Sequence, residues 1–126
     1  MNFASQYAET LCKTCSYPIV ITDRDTVVAY AGLPKKEVSD KKVSSDIEEI
    51  MESRKLYTRK DGERAHYPVD GLDKYEISAA MPIIAEGDII GSVMSILPEG
   101  AATFPDDVEV KLIQTAAVFL GKQLES

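Results

Sequence analysis

Residues 75–97 constrain the possible folds more than any other part of the chain. Two apolar runs, residues 75–85 and 89–97, flank the short polar break Glu86-Gly87-Asp88. A break of that length containing glycine is a tight turn, so the two runs pair as antiparallel strands. Ile77, Ala79, Met81 and Ile83 alternate and are expected to share one face of the first strand. The second strand is apolar on both faces, which calls for cover on both sides of the sheet.

The rest of the chain supplies that cover. Residues 2–15 place Phe3, Tyr7 and Leu11 four apart, with Ala4, Ala8 and Cys12 beside them, the stripe of an amphipathic helix. Pro18 opens a β-branched run, Asp23-Arg24-Asp25 reads as a polar turn, and residues 26–31 return, giving a first hairpin. Ser45-Asp46-Ile47-Glu48 reads as a capping box that starts a helix through about Lys55, with Ile47, Ile50 and Met51 on its apolar side. Residues 56–74 read as loop, apart from a short strand expected over 64–69. Thr103 and Asp106 are spaced like a helix cap, and Val108, Leu112, Ala116, Leu120 and Leu124 mark the expected buried stripe of a last helix. Hairpins interleaved with helices predict an α+β fold with a central antiparallel sheet, the N- and C-terminal helices sharing one face. No repeat or linker divides the 126 residues, so one domain is expected over 1–126.

Charge and cysteine content narrow the function. The net charge is −7, and the whole deficit falls after residue 64. An acid excess argues against direct nucleic-acid contact, which needs Lys and Arg to displace counterions. The apolar runs are too short to span a bilayer. Two cysteines do not make a disulfide scaffold, and a reducing cytoplasm is the expected location.

Little in the sequence resembles an active site. Cys12-Lys13-Thr14-Cys15 lies at the end of the first helix, the wrong pole for stabilising a thiolate, so structural cysteines are expected over a redox pair. His66 is the single histidine, which leaves a zinc site short of ligands. Asp23 and Asp25 belong to turn chemistry. No catalytic residue, metal or cofactor is expected. A ligand cavity between the central helix and the sheet would draw on Tyr30, Met51, Tyr57, His66, Tyr67 and Met81. The nine basic residues between 35 and 64, interleaved with eight acids, read as a mixed solvated surface or an anion-facing rim.

Ile19-Val20-Ile21-Thr22-Asp23-Arg24-Asp25, Val27-Val28-Ala29, Gly32 and Lys35-Lys36-Glu37 resemble the first hairpin of the stage V sporulation protein T C-terminal family. Residues 82–93 resemble the closing hairpin of that family and of GAF domains generally, and Thr115-Ala116-Ala117 with Phe119-Leu120 is similar to its last helix. The resemblance implies a GAF fold whose second sheet face carries a helix and loops over a ligand pocket. It also implies a non-enzymatic regulatory role, sensing an unknown small-molecule effector for a transcription regulator. In that family a separate N-terminal domain grips DNA; here residue 1 leads directly into the first helix, so no DNA-binding domain is expected within the chain. Homodimerisation through the terminal helices is expected from their apolar stripes. The alternatives are a ligand-free structural or dimerisation module and a GAF-fold redox enzyme.

Overall fold

The structure, a computed structural model, describes residues 2–125, with side chains from Phe3 to Gln123. Helix α1 (Asn2–Cys15) leads into strands β1 (Ile19–Asp23) and β2 (Val27–Ala31). A one-turn α2 (Lys35–Val38), helix α3 (Ser45–Ser53) and a short β3 (Tyr57–Thr58) follow. Strands β4 (Ile77–Ala85) and β5 (Asp88–Ile96) and the helix α4 (Asp107–Glu125) complete the order.

The closing hairpin forms as expected. Glu86 and Gly87 both have left-handed backbone, φ 51° and 84°, and Ala85 pairs with Asp88. Two successive positive φ values match the right-handed twist of the strands, which explains a glycine at the second position. The first hairpin turns on Asp23, whose Oδ1 accepts from the amides of Asp25 and Thr26, both at 2.7 Å. The sheet order is β2-β1-β5-β4-β3, every pair antiparallel, so β1 and β5 bring the two hairpins together at the centre. That union needs Gly91, because a Cβ there would stand 1.9 Å from the Thr22 carbonyl oxygen.

The two sheet faces carry separate cores. On one, Ile19, Ile21, Ala29, Ala79, Ile83 and Val93 meet Ala4, Ala8 and Leu11 of α1 and Ile113, Ala116, Ala117 and Leu120 of α4. On the other, Val20, Ile77, Ala80, Ile89, Met94 and Ile96 meet Ile47, Ile50 and Met51 of α3, with Val43, Val69 and Tyr75.

Five expectations are corrected in detail. The cap of α3 is Ser44, one residue earlier than Ser45: its Oγ accepts from the Ile47 amide at 3.0 Å and donates to the Tyr67 carbonyl at 2.6 Å. That helix ends at Ser53, because Arg54 turns left-handed at φ 59°. No strand forms over 64–69. Pro68 has no amide to donate, and the Tyr67 amide goes to Asp46 at 3.1 Å. A ladder shift between Ile77 and Ala79 leaves Ser78 as an extra residue, so Ile77 faces α3 while Ala79 faces the terminal helices. Helix α4 is capped by Asp106 and rotated from its expected stripe: Val108 is 66% exposed, whereas Glu109 is 2% exposed. Ala116 and Leu120 are buried as expected, Leu112 is half-buried, and the Leu124 side chain lies outside the described residues.

Candidate functional site

The α3 face is covered by α3 and by a strap, residues 59–76, whose Val69 and Tyr75 are buried in that core and whose Leu72 packs against it. Asp46, in the first turn of α3, ties the strap down. Its Oδ1 accepts from Arg64 at 2.9 Å, and its Oδ2 from the Tyr67 amide. Burial opposes ionisation of this carboxyl, but the Arg64 and Tyr67 hydrogen bonds outweigh it and hold the group below the ordinary carboxylate value. Beneath the strap the Tyr57 ring lies against His66, centroids 4.4 Å apart. Burial, with Glu76 and Glu63 nearby, pushes the Tyr57 hydroxyl up to about 12. The His66 carbonyl accepts from Ile77, while its buried Nδ1 has no hydrogen-bond partner among the described residues.

The six expected pocket residues therefore divide. Met51 is buried in the α3-face core, and Tyr30 and Tyr57 pack against it. His66 joins them through Tyr57. Tyr67 lies at the rim, where it lines a depression of about 200 Å³ with Ser44, Asp46, Val69 and Asp73. Met81 is separated from all of these, since it packs against the terminal-helix core on the other side of the sheet.

Two residues outside the expected pocket set tie the site to its surroundings. Arg59 pairs with Glu76 at 2.7 Å, donates to the Thr103 carbonyl at 2.8 Å, and lies 4.5 Å from the Phe104 ring centre. It clamps β3 to the loop that leads into α4. Glu109, buried on α4, accepts hydrogen bonds from Ser78 and Ser95, each 2.6 Å. Spacing did not reveal its place, since Val108, Leu112, Ala116 and Leu120 offer a competing stripe one residue earlier. Arg59 gave no signal within its run of mixed charge.

Cys12 and Cys15 are free thiols at the end of α1, packed against the terminal-helix core and so remote from the α3 strap. Burial pushes the Cys15 thiol up, and the nearby Glu109 carboxylate adds to the effect. This is the opposite of what an attacking thiolate requires. Among the described residues, no cluster of three or more His, Cys, Asp or Glu could hold a metal, and no helix is long and apolar enough to cross a membrane.

The architecture is similar to solved GAF domains. One, from a phosphoenolpyruvate-protein phosphotransferase of Coxiella burnetii, superposes with a TM-score of 0.70 at 17% identity, over 95% of this chain and 79% of that one. Another is described as the cofactor-binding GAF domain of the nutrient sensor CodY from Clostridium difficile. It gives a TM-score of 0.66 at 11% identity, over 95% of this chain and 83% of that one. Stage V sporulation protein T of Bacillus subtilis (strain 168) is 33% identical over 125 residues, spanning 98% of this chain and 68% of that protein. The family model described as stage V sporulation protein T C-terminal, transcription factor, matches residues 1–125. With its two-faced GAF sheet and these matches, the chain belongs to the stage V sporulation protein T C-terminal family of transcription factors.

Proposed function

We propose that this chain is a non-enzymatic sensory domain of a sporulation-type transcription regulator, taking a small-molecule effector beneath the strap of residues 59–76. The observation that carries this reading is the His66 Nδ1 atom, buried without a hydrogen-bond partner among the described residues, in a ring set against Tyr57. A desolvated polar atom of this kind is costly unless a ligand or water satisfies it. The CodY domain described as cofactor-binding, with the same fold, supports the reading.

Ser78 offers a route by which occupancy reaches the terminal helices. Its carbonyl accepts from the Arg59 amide at 2.8 Å beside β3, and its hydroxyl donates to Glu109 on α4. A shift of β3 against a ligand thus alters the seat of α4. In this reading the domain works in the cytoplasm as a homodimer through its terminal helices. With a net charge of −7, it leaves DNA contact to another domain and touches no membrane.

A second reading, a ligand-free structural module, is favoured by the close packing at Met51, which is 3% exposed. A thermal-shift screen against amino acids and nucleotides separates the two. An effector raises the Tm with its concentration. The rise disappears in His66→Phe and survives in Met81→Leu. A flat screen leaves the structural module as the better reading.

A further inference from the structure

A cavity of about 240 Å³ lies on the other side of the sheet, away from the strap. It sits between the first turn of α1, the C-terminal part of α4 and the turn ends of the strands. Phe3, Ala4, Ile21, Val28, Ile83 and Leu120 form most of its wall.

Backbone geometry holds this space open. The β1–β2 ladder pairs Ile21 with Ala29 and Thr22 with Val27, so Val28 is an extra residue turned toward the terminal-helix core. The β4–β5 ladder pairs Ile83 with Gly91 and Ile84 with Ile89, which makes Ile90 a second extra residue on that face. Both bulged residues line the cavity, and bulges commonly re-aim side chains at sites. Its surroundings are locked by two close approaches. A Cβ at Gly91 would meet the Thr22 carbonyl oxygen at 1.9 Å, and one at Gly121 would meet the Ile84 carbonyl oxygen at 2.3 Å. On either side of the space beside Ala4, β5 therefore packs on β1, and α4 on β4, at backbone contact.

The lining also selects a chemistry. Among the described residues its one charged side chain, Asp23, is exposed, and its Oδ1 already accepts two turn amides. An ionised group inside would find no buried counter-charge. An apolar cavity of about 150 Å³ holds benzene, so this one suits roughly ten heavy atoms.

The geometry points to a second binding site, on the terminal-helix face, for a neutral, hydrocarbon-rich small molecule. Its occupant bridges α1, α4 and both hairpins. The site stands independently of the effector reading for the α3 strap, because the two lie on opposite faces of the sheet.

The test is a titration of the isotope-labelled chain with propylbenzene, followed by amide chemical shifts, with 3-phenylpropionate as the charged counterpart. Saturable shifts at Ala4, Ile83 and Leu120 are expected with propylbenzene, and at least tenfold weaker binding of the carboxylate. Val28→Phe, which fills the space, weakens propylbenzene at least tenfold, while Tyr30→Phe on the α3 face leaves it unchanged. Ala4→Leu serves if the first variant does not fold. Four outcomes overturn the site: no saturable shift; shifts centred on Tyr57 and His66; equal binding of the carboxylate; or binding unaffected by the filling substitution.

Discussion

The Ser78 hydroxyl on β4 donates a 2.6 Å hydrogen bond to the Glu109 carboxylate on α4, inside the terminal-helix core. Ser95 of β5 donates a second at the same distance to the same oxygen, Oε2, while Oε1 is buried without a partner among the described residues. The pair is the polar anchor of α4 on the sheet. Ser78→Ala removes one of two donors to a buried acidic group and is expected to destabilise by about 1.5–3 kcal/mol. Urea unfolding of Ser78→Ala, Ser95→Ala and the double variant measures it. Because both serines serve one oxygen, the double variant should depart from the sum of the singles. Strict additivity at under about 0.5 kcal/mol each would reject the anchor.

Arg59 makes three contacts with one side chain, to Glu76, Thr103 and Phe104. Lysine cannot reproduce the planar donor fork or its stacking. Arg59→Lys is therefore expected to cost about 1–2 kcal/mol, close to the loss in Arg59→Ala. Amide exchange in residues 98–106 should quicken in both variants while α3 stays protected. Unchanged exchange in that loop would dismiss the clamp.

Asp46 and Tyr57 contribute to the pH dependence with opposite signs. Asp46 ionises more readily when folded, so its stabilisation is present above the ordinary carboxylate range and is lost as pH falls through its lowered value. Asp46→Asn should flatten the acid limb of a stability profile. Tyr57 behaves the other way. With its pKa raised from 10.0 to about 12, its contribution is complete below 10 and is lost as pH rises toward 12. Tyr57→Phe should soften the alkaline limb alone. Equilibrium unfolding across pH checks both, and an unaltered acid limb in Asp46→Asn contradicts the assigned role.

The outer surface of the terminal helices carries an aromatic group. The Phe119 ring lies 5.8 Å from Phe3 and 5.1 Å from Tyr7 between centroids, and Phe3, Val118 and Phe119 are 42%, 56% and 40% exposed. If these helices pair between protomers, sedimentation at roughly tens of micromolar shows a dimer. The double variant Val118→Ser, Phe119→Ser then sediments as a monomer with its circular dichroism retained. A monomer in the parent chain at that concentration dismisses the interface.

Most of the architecture was legible in residue spacing. The turn at Glu86-Gly87, the first hairpin and the terminal helices follow from local patterns, and two-sided cover followed from the apolar second strand. The pocket residues were less legible. Tyr30, Met51 and Tyr57 gather on the α3 face as expected, but Met81 does not, because the bulge at Ser78 shifts the alternation. Arg59 stayed hidden because its partners, Glu76 and Thr103, are 17 and 44 residues away.

By itself the sequence determined both hairpins, the helices α1, α3 and α4, and that the sheet is covered twice, since turn chemistry and periodicity act over a few neighbouring residues; it did not place α2 or β3. Only the tertiary structure decided which side of α4 faces inward. Val108 and Glu109 compete for that position, and local hydrophobicity favours the valine. The serines that make burial of Glu109 tolerable lie 31 and 14 residues away, on two different strands. A hydrogen-bonded acid can displace an apolar residue from a core only where such partners converge, and that convergence is a property of the assembled sheet.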